Sequence, residues 1–409
     1  MSKPTPKDCR SGAISILRKL REAGHETYFA GGCVRDRLLS GSPIEYGIAT
    51  NATPEDIKKV FPKAHSVGEA FGVMLVRRND VMYDVATFRS DGPYSDHRHP
   101  DSVQFSDAKH DAQRRDFTIN GMFEDPIQEM IIDYVDGQAD IEARLIRAIG
   151  DPQARIQEDH LRMLRAVRFA ARFSFAIESD TAEAIREKSN QLIGVSKERI
   201  GEEIKKMLLD EHRGVAAWEL QYLGLDRFIF DEPSCMNAPT RLGKLFNVVS
   251  YATALAAWLI DRHSNQCDVQ FIASKWRDQL LLSNKVFEEL KQTLSIHKKL
   301  FNWDQLGTAA QKRIAASPVC DAAMTILQAE DSSLFVHIRK SIIEHEKTGI
   351  APERFINGND LLDAGLRASP KLGVVLEAVY DAQLEGAVLG RNDALRLAKT
   401  IYSEITDSK

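Results

Sequence analysis

The chain has 409 residues, of which 43% are apolar and 28% charged, and its formal net charge is −5. A chain of this length is too long for a single compact core, so we expect roughly two to four domains. The composition is that of an ordinary globular protein. The net negative charge excludes a global positive field for nucleic acid, and any RNA contact therefore requires a local basic surface.

The five cysteines are scattered and include no C-x-x-C pair, so the sequence predicts neither a zinc site nor a disulfide framework. We therefore expect reduced thiols in a cytoplasmic protein. The polar N-terminus MSKPTPKDCR is not expected to act as a signal peptide. No apolar run reaches the length of about 18 residues that spans a bilayer, so no membrane partner is predicted.

The first 135 or so residues mix apolar runs with Gly and Pro. The pattern predicts a helix over ISILRKLREAG (14–24), closed by Gly24, and a second over CVRDRLL (33–39), ending near Gly41. Four runs read as strands because they are apolar and lack helical periodicity. They are YFAGG (28–32), GVMLVRR (72–78), VMYDVATFR (81–89) and MIIDYV (130–135).

From about residue 138 the pattern changes to helical periodicity and continues so almost to the end. Three helices are predicted from this spacing, over EDHLRMLRAVRFAARF (158–173), SKERIGEEIKKMLL (196–209) and NKVFEELKQTLSIHKKL (284–300). The sequence thus predicts an α/β head followed by a long helical body, with no repeat of fixed period.

The turn Gly31-Gly32-Cys33-Val34-Arg35-Asp36 ends one predicted strand and opens a helix. Exposed backbone N–H groups at such a turn suit a phosphate, and Arg35 would add a charge-assisted contact. The alternative is that the two glycines only allow the strand and the helix to pack closely.

The segment Arg114-Arg115-Asp116-Phe117-Thr118-Ile119-Asn120 places two arginines beside an acid and a Phe with a buried character. This combination suits a site that binds a polyanion and a ribose. The alternative is a solvated charge cluster at the start of a helix.

The predicted helix 158–173 carries arginines three or four residues apart, which aligns them on one face. They are Arg162, Arg165, Arg168 and Arg172. Asp159 lies three residues before Arg162 and is expected on the same face. A carboxylate accepts from the amine of cytosine or adenine, and a guanidinium donates to the adjacent ring nitrogen. The alternative is an ordinary salt bridge within the helix, worth about 0.3–0.5 kcal/mol.

Five motifs in order carry a resemblance to a known family: GGCVRD, ATNATPE, VATFR, RRDFTIN and EDHLRMLRAVRFAARF. Together they resemble the class II tRNA nucleotidyltransferases (CCA-adding enzymes) and bacterial poly(A) polymerases, from about Tyr28 to Phe175. A weaker similarity follows in INGNDLLDAG (356–365) and KLGVVLEAV (371–379).

The resemblance implies an α+β fold with a polymerase-beta-like nucleotidyltransferase head and a mixed sheet, followed by an all-helical neck, body and tail. The implied boundaries are 1–137 for the head, 138–213 for the neck with a nucleobase template, 214–330 for the body and 331–409 for a tRNA-binding tail.

The resemblance also implies roles for individual residues. Those of the triphosphate and sugar turn are Gly31, Gly32, Arg35 and Asp36, and those that select the ribose are Arg115, Asp116 and Asn120. The template that pairs with CTP or ATP comprises Glu158, Asp159 and Arg162, with Arg165 nearby and 196–204 as a brace. Arg168 and Arg172 are expected to contact RNA.

One motif departs from the family. Members carry Asp-x-Asp after the glycine turn, and the two carboxylates hold two Mg²⁺ ions for attack of the RNA 3′-hydroxyl on the α-phosphate. Here Pro43-Ile44-Glu45-Tyr46-Gly47 places Glu45 and Gly47 at those positions, expected on one side of a strand. Asp84 resembles the third carboxylate. We therefore expect Glu45 and Asp84 as the remaining metal ligands.

The leading functional hypothesis is a template-independent nucleotidyltransferase that adds CMP and AMP from CTP and ATP to tRNA 3′ ends, with Mg²⁺ as the implied cofactor. The alternative is an impaired paralogue that binds nucleotide or tRNA without efficient transfer. A poly(A) polymerase is disfavoured because those relatives carry a basic segment where this chain reads EAFGVMLVRR (69–78). The oligomeric state and the choice between C and A stay open.

Overall fold

The computed structural model describes residues 5–39, 41–67, 72–246, 248–263 and 269–407. Cys267, the first four residues of the N-terminus and residues 69–71 of the EAFGVMLVRR segment lie outside these ranges. The chain forms two compact units, Met1–Met236 with Gln279–Leu281, and Asn237–Asp278 with Leu282–Lys409. The four-part division expected from the family stays a prediction.

The first unit begins with a mixed sheet flanked by helices. Its elements are α1 (Pro6–Glu22), β1 (Thr27–Ala30), α2 (Gly32–Leu38), β2 (Gly47–Thr50), α3 (Pro54–Val60), β3 (His65–Ser66), β4 (Val73–Arg78), β5 (Val81–Thr87), β6 (Arg89–Asp91), β7 (Val103–Phe105), α4 (Ala108–Gln113), β8 (Phe123–Asp125) and β9 (Met130–Ile132). Seven strands form the sheet in the order β3-β4-β5-β2-β1-β8-β9, with β2 and β5 parallel and the other neighbours antiparallel. The four predicted strands are confirmed as β1, β4, β5 and β9, although β1, β5 and β9 end two or three residues before their predicted ends.

Helix α1 starts eight residues earlier than predicted. Thr5 caps it, because its hydroxyl accepts from the N–H of Asp8 while the Asp8 carboxylate accepts from the N–H of Thr5. Pro6 occupies the first turn, where its missing N–H costs nothing. The apolar face of α1 packs on the sheet through Ile16, Leu17 and others, all buried in the head core.

The remainder of the first unit is mostly helical. Its elements are α5 (Gly137–Ala143), β10 (Leu145–Ile146), α6 (Pro152–Glu158), α7 (Arg162–Phe173), β11 (Ala176–Ile177), α8 (Ser179–Lys188), α9 (Lys197–Leu208), α10 (Arg213–Tyr222) and α11 (Asp226–Phe230). The predicted helix over 196–209 is confirmed as α9. One short feature was not expected, the parallel pair of β10 with β11.

The predicted continuous helix over 158–173 is wrong at its start. Helix α6 ends at Glu158, Asp159 is extended with φ −146° and ψ 104°, and α7 begins at Arg162. The break has a local cause, because the Asp159 side chain accepts a hydrogen bond from the N–H of Leu161. Asp side chains compete in this way with the helical hydrogen bonds.

The second unit is helical throughout its described residues. Its elements are α12 (Thr240–Gly243), α13 (Tyr251–His263), α14 (Val269–Leu280, which ends in the first unit), α15 (Asn284–Leu300), α16 (Thr308–Ala315), α17 (Cys320–Glu330), α18 (Ser332–Thr348), α19 (Gly358–Asp363), α20 (Lys371–Leu384) and α21 (Arg391–Asp407). Helix α15 has the predicted bounds. Within the residues that the structure describes, no helix combines the length and apolar character needed to cross a membrane.

Candidate functional site

A cavity of about 580 Å³ in the first unit is lined by an excess of positive charge, and we call it the cationic cavity. Its arginines are Arg35, Arg89, Arg98, Arg114, Arg115, Arg162, Arg165, Arg168 and Arg172. Its acids are Asp91, Asp116 and Asp159, and its other lining residues are Gly31, Gly32, Tyr94, Pro100, Asn120 and Phe169. Such an excess of guanidinium groups favours a ligand with several negative charges.

The floor of the cationic cavity is the turn between β1 and α2. Gly31 has φ +73°, and a Cβ atom there would lie 3.0 Å from Nη1 of Arg115, so both its conformation and its close approach require glycine. Its carbonyl accepts from the N–H groups of Val34 and Arg35, which opens α2. The predicted Gly-Gly turn is therefore placed beside the predicted ribose motif.

Arg35 is only 4% exposed, and each of its three guanidinium nitrogens donates a hydrogen bond. Its Nη1 donates to the Asn120 side-chain oxygen, and its Nε and Nη2 donate to Asp36 at 2.8 and 2.6 Å. Its guanidinium also lies over the rings of Phe169 and Phe173, at 5.2 and 4.7 Å from their centroids. Asp36 does not line the cavity, and its contact with the turn is through Arg35.

Asp111 on α4 holds the adjacent arginines Arg114 and Arg115. One carboxylate oxygen accepts from Nε and Nη2 of Arg114, at 2.9 and 2.7 Å, and the other accepts from Nε and Nη2 of Arg115, at 3.2 and 2.8 Å. Burial would raise the pKa of Asp111, but the two guanidinium groups outweigh burial and lower it. This acid was not predicted from the sequence, because it lies three residues before the motif.

Asp116 and Arg165 form an ion pair on the wall of the cavity. Arg165 donates to Oδ2 of Asp116 from Nε and Nη2, at 2.8 and 2.5 Å, while the Asn120 amide donates to Oδ1 at 3.0 Å. Burial would raise the pKa of Asp116, but Arg165 and the hydrogen bonds lower it to about 2. The structure therefore joins the predicted ribose motif to the predicted template helix.

Asp159 lines the cavity from the extended link between α6 and α7, and not from the face of a helix. Arg199 on α9 donates from Nη2 to both of its carboxylate oxygens, at 2.8 and 3.1 Å. Helix α9 also supplies Glu203, which accepts from Nε of Arg168 at 2.6 Å. The segment 196–204, expected as a brace, does contact the predicted template segment.

Arg162 begins α7 and is held by Glu158. Its Nη1 donates to Glu158 and to the backbone carbonyl of Arg155, at 2.5 and 2.6 Å. Glu158 does not line the cavity, and its observed contacts are with Arg162 and Arg155. The predicted stripe of four arginines does share one cavity, but Arg162, Arg165 and Arg168 each have a close acidic partner.

A second cavity, of about 470 Å³, meets the first at Gly32, and we call it the carboxylate cavity. It is lined by Glu45, Gly47 and Asp84, among others. Gly47 and Asp84 are close because β2 and β5 run parallel with Ile48 opposite Val85. The three positions expected around the metal ions therefore surround one space.

Glu45 does not belong to a strand, contrary to the prediction. The last pair between β1 and β2 is Ala30 with Gly47, since the chain turns at Gly31 into α2 and leaves no partner for Glu45. Both residues still line the carboxylate cavity, Gly47 as the first residue of β2 and Glu45 from the segment before the strand.

These residues do not fit a pair of Mg²⁺ ions. Glu45 and Asp84 are both exposed, and Gly47 has no side-chain donor. No group of three or more His, Cys, Asp or Glu in the described part of the chain is arranged to hold a metal. Mg²⁺ in such sites is held by one or two carboxylates together with waters and substrate phosphates, but position 47, where the family carries an aspartate, supplies no carboxylate to be shared by two ions.

Several lining residues were missed by the sequence reasoning. They are Arg89, Asp91, Tyr94, Arg98, Pro100 and Phe169, together with Asp111 behind the wall. Arg199 and Glu203 belong to the segment 196–204 that was expected as a brace. Phe169 and Arg89 lie inside motifs described above, whereas Asp91 to Pro100 form a segment with no chemical pattern of its own.

Residues 27–147 match the family model for the poly(A) polymerase head domain, and residues 174–236 match that for the probable RNA- and SrmB-binding site of polymerase A. The CCA-adding enzyme of Lactiplantibacillus plantarum is 32% identical over 396 residues, which is 94% of each chain. The chain belongs to the family of CCA-adding enzymes.

Solved structures agree with membership of the CCA-adding enzyme family. The Bacillus stearothermophilus CCA-adding enzyme in complex with CTP superposes with a TM-score of 0.82 at 26% identity, covering 99% of this chain and 100% of that one. The Thermotoga maritima CCA-adding enzyme complexed with tRNA has the same fold, with a TM-score of 0.67 at 20% identity over 99% and 97% of the two chains.

Proposed function

We propose that this protein is a template-independent RNA nucleotidyltransferase that selects CTP and ATP and acts on the 3′ end of tRNA. The observation that carries the proposal is the cationic cavity, whose wall includes both Asp159 and Arg162. Relatives that cover nearly the whole chain are CCA-adding enzymes, and one solved relative holds CTP.

The different walls of the cationic cavity suit different parts of a nucleoside triphosphate. The Gly31 turn with Arg35 and Arg115 suits the triphosphate, because guanidinium groups bind phosphate oxygens through charge-assisted hydrogen bonds. Asn120 and Asp116 lie between these arginines and α7, where a ribose would be held. The base would lie against the remaining wall, which carries Asp159 and Arg162 and which we call the base wall.

Asp159 and Arg162 can distinguish bases by the direction of their hydrogen bonds. The carboxylate accepts from an exocyclic amine, and the guanidinium donates to a ring nitrogen. Cytosine and adenine both present this amine and acceptor pair on the pairing edge, whereas uracil and guanine present a carbonyl and an N–H. One bidentate set of this kind discriminates by about 1–3 kcal/mol.

We propose further that transfer in this protein is slow compared with relatives that carry two aspartates. The supporting observation is that Gly47 offers no carboxylate and that Glu45 is exposed outside the strand. A second candidate function, binding of nucleotide and tRNA without transfer, rests on the same observation. The intact cationic cavity supports nucleotide binding under either proposal.

Incorporation of labelled CMP and AMP into tRNA lacking its 3′ end separates the two proposals. Slow addition that is lost in Asp84→Ala supports the transferase, and tight CTP binding with no addition supports the binder. Asp159→Ala should keep triphosphate affinity and lose the preference for CTP and ATP. Equal affinity of the unmodified protein for all four nucleotides would contradict the assignment of the base wall.

A further inference from the structure

The residues between β6 and β7 form part of the rim of the cationic cavity, and we call residues 92–102 the rim loop. Its two ends are held together because β6 and β7 pair antiparallel. Between these ends the rim loop extends Tyr94, Arg98 and Pro100 to the cavity. The position of the rim loop therefore decides whether these three residues face a bound ligand.

His97, in the middle of the rim loop, contacts both α6 and the link between α6 and α7. His97 has φ +54°, and its Nδ1 lies 2.7 Å from the backbone carbonyl oxygen of Gln157. A carbonyl oxygen only accepts, so Nδ1 of His97 carries the proton. The ring of His97 also stacks on that of His160, with centroids 4.6 Å apart and an interplanar angle of 24°.

His160 is in an environment that disfavours a positive charge. It is 3% exposed, and its buried Nε2 has no hydrogen-bond partner in the structure. The charged groups that face it are His97 on the rim loop, Asp159 beside it and Lys188 on α8. Burial lowers the pKa of His160, and His97 and Lys188 lower it further, whereas Asp159 acts in the opposite direction.

We propose that His97 and His160 are positioning residues, which hold the rim loop at the cationic cavity while the buried ring of His160 is neutral. A proton on His160 would find no acceptor at Nε2 and would face a second imidazole across the stack. Because burial depresses the pKa of His160, the stack is fully stable above the ordinary histidine pKa of about 6.5 and weakens as the pH falls below it. The proposal about the position of the rim loop does not depend on the proposed function. Only the expectation that this position affects nucleotide affinity rests on the proposed function.

The rate of trypsin cleavage after Arg98, measured in the absence of nucleotide, reports whether the rim loop is held at the cavity. Cleavage of the full-length protein is normalised to a free peptide of residues 94–101, which removes the effect of pH on trypsin. We expect the normalised rate to rise about tenfold between pH 7.5 and pH 5.5, which is the order expected when a histidine contact is titrated.

Three variants separate titration from packing. His160→Phe keeps a stacking ring but cannot titrate, so its loop should be protected at both pH values. His97→Asn tolerates positive φ but has no ring, and His97 is only half-buried, so this variant should fold and be cleaved rapidly at both pH values. His99→Gln removes the exposed imidazole that pairs with Asp96 in the same loop and should behave like the unmodified protein.

A flat pH profile in the unmodified protein, or an unchanged profile in His97→Asn, would overturn the proposal. A pH-dependent profile that persists in His160→Phe would assign the titration to another group and would also overturn it. Failure of the proposed function is seen separately, as absent CTP binding at pH 7.5 in the unmodified protein. That result would not alter the cleavage data.

Discussion

Nη2 of Arg199 donates to both carboxylate oxygens of Asp159, and this contact joins α9 to the link between α6 and α7. Asp159 lies in extended backbone without the support of a helix, so its direction depends on such side-chain contacts. Leu161 provides the other observed contact, through its backbone N–H.

The first prediction concerns Arg199. Arg199→Gln should reduce the preference for CTP over UTP about tenfold, because a mobile Asp159 no longer selects the exocyclic amine, and about 1.4 kcal/mol corresponds to that factor. Affinity for the triphosphate should change little, since the Gly31 turn and Arg35 are untouched. Equilibrium binding of the four nucleotides measures both quantities.

Lys205→Gln provides the matched control for Arg199, because it removes a positive charge from an exposed position on the same helix. It should leave the base preference unchanged. A loss of CTP affinity in Arg199→Gln with an unchanged CTP to UTP ratio would show that Arg199 supports the cavity as a whole and does not orient Asp159.

The second prediction concerns the altered motif. Glu45→Asp combined with Gly47→Asp should create or greatly raise Mg²⁺-dependent nucleotide addition. Gly47 lacks a positive φ, so an aspartate is conformationally acceptable, although its Cβ would lie 3.1 Å from the Ala30 carbonyl oxygen and require a small shift. Incorporation of labelled CMP into truncated tRNA measures the gain.

Glu45→Asp alone should change little, because position 47 would still lack a ligand. Asp84→Ala in the repaired protein should abolish the gain. A folded double variant that binds CTP but adds no nucleotide would show that the site has changed beyond these two positions. Strong activity of the unmodified protein that survives Glu45→Ala would show that the metals are held elsewhere.

The third prediction concerns RNA. Binding of tRNA should weaken steeply with salt despite the net charge of −5, because counterions are released wherever arginines contact phosphate. Arg172 is the most exposed member of the α7 arginines and lies 3.9 Å from Asp36, its nearest acid. Arg172→Gln should therefore lower the slope of log affinity against log salt by about one unit if it contacts a phosphate. An unchanged slope would remove Arg172 from the RNA surface, and a flat salt dependence of the unmodified protein would argue against RNA binding.

The fourth prediction concerns the Asp116–Arg165 pair. The pKa of Asp116 is lowered to about 2, below the ordinary value of about 3.9, so the pair stabilises the fold above that value and is lost as the pH falls through 2. Asp116→Asn leaves Arg165 without its carboxylate and should lower the local stability of α7 by about 1–3 kcal/mol at pH 6. Hydrogen exchange of peptides covering Arg162–Phe173 measures this change.

The same measurement at lower pH tests the cause. Between pH 4 and pH 2 the unmodified protein should lose protection in α7, and Asp116→Asn should lose less. The double variant Asp116→Asn with Arg165→Gln should recover part of the stability at pH 6, since neither side chain is then an unpaired charge. Equal pH profiles in the unmodified protein and Asp116→Asn would assign the acid sensitivity to other carboxylates.

The sequence predicted the elements whose apolar pattern is continuous, such as α15 and the strands β1, β4 and β5. It missed the break at Asp159 because the Leu and Arg spacing continues across it, while the deciding hydrogen bond is between a side chain and the Leu161 backbone. The early start of α1 was visible in principle, because Thr5 and Asp8 have the spacing of a capping box.

The candidate site was predictable where its residues stand together in the sequence. Gly31, Arg115 and Arg165 come from three separate motifs and do share one cavity. Arg199 was expected only as part of the bracing segment 196–204, because its contact with Asp159 is created by the fold. Asp111 was missed because it lies just outside the motif whose arginines it holds. The rim loop was not predicted, because its residues form no recognisable motif and reach the cavity only through the fold.

The pairing of β10 with β11 has a consequence for how the protein folds. Leu145–Ile146 and Ala176–Ile177 are the two ends of a segment of about thirty residues, and this segment contains α6, α7 and the whole base wall. Closing so short a loop costs little chain entropy, whereas the sheet must join β1 to β8 across more than ninety residues. We therefore expect α6, α7 and the link between them to form early, before Arg199 on α9 orients Asp159 and before the head completes the cationic cavity.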